Sequence, residues 1–226
     1  MRGKGSMPSC PSASQSSRGA EMDVMSGPIR EVGIIGAGIM GIGIAETMAA
    51  ADLKVYLFDQ LPGKAETAKC DLSKRLDTRV ARGKLEAAKA ANTLDQIIPI
   101  SALKELASAD LVIEAIVEDL GVKRELIASL EAHLSPQTII ATNTSSLSVT
   151  AIAGKAENPQ HVAGFHFFNP VPLMRVVEVI KGALTSDAVL ERLKNLQSGL
   201  AIDQSWRLIL RGLSSTMPVA PMARKR

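Results

Sequence analysis

Cysteine is nearly missing from this chain: only Cys10 and Cys70 occur in 226 residues. Two such isolated thiols form neither a disulfide framework nor a thiolate metal site, so a reducing, cytoplasmic setting is the default and no metal is expected. Cys70 falls in a helical pattern and reads as a packing residue rather than a reactive thiol. Aromatic residues are only 3% of the chain, which leaves little for stacking nucleic-acid bases. Charge of one sign is also scarce. Twenty-six Lys and Arg stand against 23 Asp and Glu, for a net charge of +3. The terminal Arg224-Lys225-Arg226 is too short a basic run to attract a nucleic acid. No apolar run approaches the length of a membrane span. Nucleic acid and membrane are therefore excluded as expected partners.

Apolar periodicity is missing from both ends. Residues 1–27 are dominated by Ser, Gly, Pro and Arg and read as a disordered tail. They contain no apolar core of a secretory signal, and Arg2, Lys4 and Arg18 are too sparse for an amphipathic transit helix. Met22 or Met25 is an alternative start. From Ala201 to Arg226 neither a helical nor a strand period appears, and the chain's one tryptophan, Trp206, lies there. This second tail is expected to be divergent and unstructured. Between the tails, residues 28–200 supply enough of the 46% hydrophobic content for one α/β domain.

What is present begins at Glu31. EVGIIGAGIMG is an apolar run, then a glycine turn, then a helical pattern through Ile42, Ile44, Ala45, Met48 and Ala49. Gly36 permits the turn, Gly38 lets a pyrophosphate come close to the backbone, and Gly41 lets the helix pack on the strand. Ile39 and Met40 sit at the helix N-terminus, whose free N–H groups and positive dipole end suit phosphates. The next strand, from Lys54 to Phe58, ends at Asp59. An acid there accepts hydrogen bonds from an adenosine ribose and repels a 2′-phosphate, so NAD is expected over NADP. A glycine turn alone is a weak signal. The strand before it, the helix after it and the acid beyond turn it into a dinucleotide-binding reading.

Further along, Lys64 to Gly83 reads as a helix with Lys69, Lys74, Arg75, Arg79 and Lys84 on one side. Such a face is usually solvated, though it could receive substrate phosphates. Strands are expected at 97–100, 111–116, 138–141, 161–165 and 174–180, with a helix at 122–134. This alternation predicts a doubly wound parallel sheet with its ligand beyond the carboxyl ends of the strands. Gly36, Asp59, Glu118, Asn143, Ser145 and His166 all fall at such ends. Of the three histidines, His166 alone follows an apolar strand at that rim, where a neutral imidazole can take a hydroxyl proton. Glu178, set among Val176, Val177, Val179 and Ile180, is expected to need a partner and to orient it. His133 and His161 read as structural or exposed.

GAGIMG, AIVED, NTSSLS and GFHFFNPVPLMRVVEVI together resemble the NAD-binding domain of the L-3-hydroxyacyl-CoA dehydrogenases, over about Ile29 to Leu200. The resemblance implies a Rossmann-type fold, NAD as cofactor and a fatty acyl-CoA substrate whose 3-hydroxyl is oxidised to a ketone, as in β-oxidation. It implies His166 as catalytic base and Glu178 as its orienting carboxylate. Ser145 would hydrogen-bond the substrate oxygen, and Asn169 would help to hold the site. Glu118 and Lys123 match cofactor-contacting positions, and Asn143 lies beside the nicotinamide end. The family continues into a helical second domain, which forms most of its homodimer contacts and opens with a segment like V-x-D-x-P-G-F-x-V-N. That segment is absent here. Codons permitted for Gly212 to Lys225, read in a shifted frame, give GLVVNHAGRAYGTEA, so a frameshift is one expected origin of the tail. NAD binding with impaired turnover follows. The alternative is a non-catalytic NAD-binding fragment or degenerate gene product. A rival β-hydroxyacid dehydrogenase reading, which also begins with a GxGxMG turn, lacks a counterpart of HFFNP.

Overall fold

The computed structural model describes residues 27–174 and 176–200. The expected tails lie outside the described residues, apart from Gly27, and so do Cys10 and Trp206. Seven strands form one sheet: β1 (Glu31–Ile35), β2 (Lys54–Phe58), β3 (Ile97–Ile100), β4 (Leu111–Glu114), β5 (Ile139–Thr142), β6 (Val162–Phe167) and β7 (Val177–Ile180). Their order is β3-β2-β1-β4-β5-β6-β7. The helices are α1 (Ile39–Ala49), α2 (Lys64–Ala81), α3 (Ala87–Asp95), α4 (Leu120–Glu131), α5 (Val149–Ile152) and α6 (Asp187–Gly199).

Both faces of the sheet are buried, so its strands carry apolar residues at successive positions rather than at alternate ones. Alternation instead divides them between two cores. Ile34, Leu111 and Ile113 pack with Ile44, Met48, Leu72 and Leu193 on the face covered by α1, α2 and α6. Ile35, Val112 and Ile140 pack with Ile127, Leu130 and Ile152 on the face covered by α4 and α5. This is the doubly wound arrangement expected from the alternating elements.

The sheet departs from the sequence expectation at its end. β1 to β6 are parallel, but β7 runs antiparallel to β6. Residues 168–176 are fewer than the dozen or so that a parallel crossover needs, so the chain can only turn back. The turn also shortens β7, which starts at Val177 rather than Met174. Leu173 and Met174 donate their amides to the Pro170 carbonyl at 3.0 and 2.9 Å instead of joining the ladder. β6 continues to Phe167, so His166 lies within a strand rather than after one. β4 ends at Glu114, whose side chain accepts the Ile116 amide at 2.8 Å and starts the turn. Helices α3 and α6 have no counterpart in the sequence reading. Cys70 is exposed, because α2 buries Ala65, Leu72 and Leu76 on another face, which corrects the expected packing role.

Candidate functional site at the strand ends

The glycine turn joins β1 to α1 at the carboxyl edge. Gly36 adopts φ +99°, and a Cβ there would lie 2.7 Å from the Ala115 carbonyl oxygen. A Cβ at Gly41 would lie 1.7 Å from the Gly36 oxygen, so only glycine lets α1 rest against the turn. Gly38 differs: a Cβ there meets nothing within 4 Å. Its surroundings are open to a ligand, beside an N-terminus that carries no acid in its first turn. Ile39 is 78% exposed on that opening, and Met40 packs partly against the core. Asp59 caps β2. Its carboxylate accepts the Ala37 amide at 2.7 Å and the Leu61 amide at 2.9 Å. A carboxylate offers about four lone-pair sites, so capacity remains for ribose hydroxyls. Open space, a helix N-terminus and an acid at the next strand end fit a dinucleotide.

Across β4 the rim is built from side chains. Glu114 and Lys123 are fully buried and paired at 2.6 Å. Thr142, beside Glu114 in the register, donates to its other oxygen at 2.8 Å. Lys123 also lies 3.4 Å from Glu118, whose side chain is 37% exposed. Glu118 accepts the Thr144 hydroxyl, the Ser145 amide at 3.2 Å, and the Ser146 amide and hydroxyl at 3.3 and 3.0 Å. Burial pushes its carboxyl up, but the Thr144 and Ser146 hydrogen bonds and the Lys123 cation together outweigh this and hold it at about 2. The sequence reading placed Lys123 at the cofactor. The structure seats it below the surface, between Glu114 and the partly exposed Glu118.

At the far side, His166 and Glu178 face each other on β6 and β7. The His166 Nδ1 lies 2.9 Å from Glu178 Oε2, with the two side chains 13% and 12% exposed. A proton on Nδ1 donated to Glu178 leaves the Nε2 lone pair as a base. Phe168 packs against the imidazole, with ring centroids 4.6 Å apart. Asn143 ties β5 to β6. Its Oδ1 accepts the Phe167 amide at 2.8 Å, and its own amide donates to the Glu114 carbonyl at 2.8 Å. Ser145 and Asn169 are exposed at the same edge.

The basic face of α2 is not a free cluster of cations. Lys69 donates to the Ile97 carbonyl, Lys74 pairs with Asp71, and Arg75 and Arg79 pair with Glu46. Two cavities among the described residues, of about 280 and 370 Å³, lie behind α1 and beside the end of α6. The chemistry-bearing side chains gather at the strand ends instead. Glu114, Thr142 and Thr144 escaped the sequence reading. The only sequence signal was one acid closing an otherwise apolar strand.

A sequence model described as 3-hydroxyacyl-CoA dehydrogenase, NAD binding domain, matches residues 31–201. The chain belongs to this family. Its described domain is therefore an NAD-binding domain of the Rossmann type. It is 47% identical over 169 residues to the 3-hydroxyadipyl-CoA dehydrogenase of Escherichia coli K12, a match covering 74% of this chain and 35% of that one. It is 42% identical over 159 residues to a probable 3-hydroxybutyryl-CoA dehydrogenase of Bacillus subtilis, covering 70% and 55% respectively. The crystal structure of the E. coli K12 3-hydroxybutyryl-CoA dehydrogenase superposes with a TM-score of 0.75 at 45% identity, over 77% of this chain and 37% of the other. The matched dehydrogenase region thus spans about a third to just over half of these relatives. No helix among the described residues is long and apolar enough to cross a membrane.

Proposed function

We propose that this chain binds NAD along the strand ends from Asp59 to His166, and that this rim is the catalytic half of a 3-hydroxyacyl-CoA dehydrogenase. The observation that carries the reading is the His166–Glu178 pair at 2.9 Å, on the same sheet edge as the glycine turn. NAD supplies the hydride acceptor when bound. Gly36, Gly38, Gly41, Ile39 and Met40 receive its pyrophosphate, Asp59 its adenosine ribose, and Glu118 and Asn143 its nicotinamide end, with Lys123 acting through Glu118. His166 Nε2 takes the proton of the substrate's 3-hydroxyl, while Glu178 holds the ring and balances the imidazolium charge. The Ser145 hydroxyl donates to the substrate oxygen, and Asn169 helps to hold the site. Alignment of the carbinol with the base is the protein's main contribution to rate.

The substrate class is a fatty acyl-CoA of β-oxidation, and the setting is cytoplasmic, as the scarcity of cysteine suggests. The domain is 28–200, flanked by the tails 1–27 and 201–226. A second reading is a non-catalytic NAD-binding module. Titration calorimetry with NADH, beside turnover of acetoacetyl-CoA, tests both. NADH binding is expected under both, and turnover only under the first. Replacing His166 with Gln should leave NADH affinity within about twofold and lower any turnover by about 10²–10⁴-fold. Failure to bind NADH overturns the proposal, and turnover that survives the substitution overturns the role of His166.

A further inference from the structure

A lysine with no exposed side-chain surface in a domain of this size calls for a physical account. Replacing a buried ion pair by apolar residues of similar volume is often neutral or stabilising, so stability is a weak reason for one to be there. Glu114 and Lys123 form such a pair, each 0% exposed. The Glu114 carboxylate makes its polar contacts at the end of β4: Lys123 Nζ at 2.6 Å, the Ile116 amide at 2.8 Å and the Thr142 hydroxyl at 2.8 Å. Lys123 spans from Glu114 to Glu118 Oε2. The other Glu118 oxygen then gathers Thr144, Ser145 and Ser146. A continuous chain of charge and hydrogen bonds therefore runs from the end of β4, through the first turns of α4, into the loop that follows β5.

We propose that Glu114 is a positioning residue. It acts through Lys123 to hold the Glu118 carboxylate in one place, and Glu118 in turn fixes residues 144–146 as the platform under the cofactor's nicotinamide end. The inference rests on the NAD-binding reading above. Lys123 cannot touch a ligand from its buried seat, and Glu118 is only one-third open to the cleft, so the pair reaches the cofactor by shaping that loop. The loop's alternative is to release the Ser145 and Ser146 amides to water, since both residues are exposed.

Glu114→Gln alone leaves the buried Lys123 cation with only the more distant Glu118, at 3.4 Å, as counter-ion and is a candidate for misfolding. The informative variant is Glu114→Gln with Lys123→Met in the full chain. It removes both charges while keeping volume and an acceptor for the Ile116 amide. NMR solvent exchange should show the Ser145 and Ser146 amides exchanging about tenfold faster, with β1 amides and the melting temperature unchanged. NADH titrated into the same sample should bind about tenfold more weakly. Unchanged exchange at Ser145 and Ser146 overturns the inference. So does faster exchange with wild-type NADH affinity, because the loop would then be held for no ligand's benefit. A wild-type chain that binds no NADH overturns the functional reading, and this inference with it.

Discussion

The two halves of the carboxyl rim are built on different principles. Around β1, α1 and β2 the site is made of backbone. Glycine turn, helix start and Asp59 come from one unbroken stretch, and the Asp59 carboxylate is bonded to main-chain amides. Around β4 to β7 it is made of side chains brought together from distant positions. Glu114 meets Thr142 across 28 residues, Glu118 meets Thr144 across 26, and His166 meets Glu178 across 12. A backbone site tolerates almost any side chain except where space forbids one. A side-chain site fails when one charge loses its partner.

Deleting a charge from the second half should give the largest effect. Lys123→Ala strands Glu114 in the interior, and a loss of about 3–5 kcal/mol is expected in denaturant unfolding. If the loss is below about 1 kcal/mol, the second half does not depend on charge pairing and the contrast collapses. Space tests the first half. Gly41→Ala forces a Cβ against the Gly36 carbonyl and should cost about 3 kcal/mol, read from the same unfolding curves. Gly38→Ala meets no protein atom and should leave stability within about 0.5 kcal/mol while weakening NADH binding about tenfold. Equal stability losses at the two glycines would show that neither is reserved for a ligand.

The smallest effect expected is on acid stability. The Glu118 carboxyl is lowered from 4.5 to about 2, so the folded state favours its charged form. The stability it contributes is complete above pH 4.5 and is lost as pH falls toward about 2. Glu118→Gln should flatten unfolding free energy across that window and leave the region above it parallel to wild type. A variant whose acid limb keeps the wild-type slope would show that Glu118 holds the loop without electrostatic gain.

The difference between the halves also sets how much of each was legible in the sequence. The first half reads directly, because strand, turn, helix and acid follow one another and each residue's task is local. The second half was legible only in outline. The residue pattern pointed to His166 and Glu178 and the resemblance implied their roles, yet that pattern set His166 after its strand and extended β7 to Met174. The short 168–176 link and its reversal of direction set both residues where they are. The resemblance implies a cofactor contact for Lys123, since nothing in GVKREL tells that its side chain turns inward to Glu114 and Glu118. Helix α3 escapes a reading by period because it buries only Ala90 and Thr93, whereas α6 buries Val189, Leu190, Leu193 and Leu196 at helical spacing in a stretch the sequence reading left unassigned.

Read alone, then, the amino-acid order determined the sheet's layered class, the glycine turn and the acid that closes β2, because period, turn chemistry and sterics act over a few residues. Only the assembled sheet decided that Glu114 and Lys123 are sealed together, that Glu118 gathers the loop after β5, and that His166 and Glu178 pair across antiparallel strands. Those partners are set by strand order and register, which depend on how the whole chain buries its two cores.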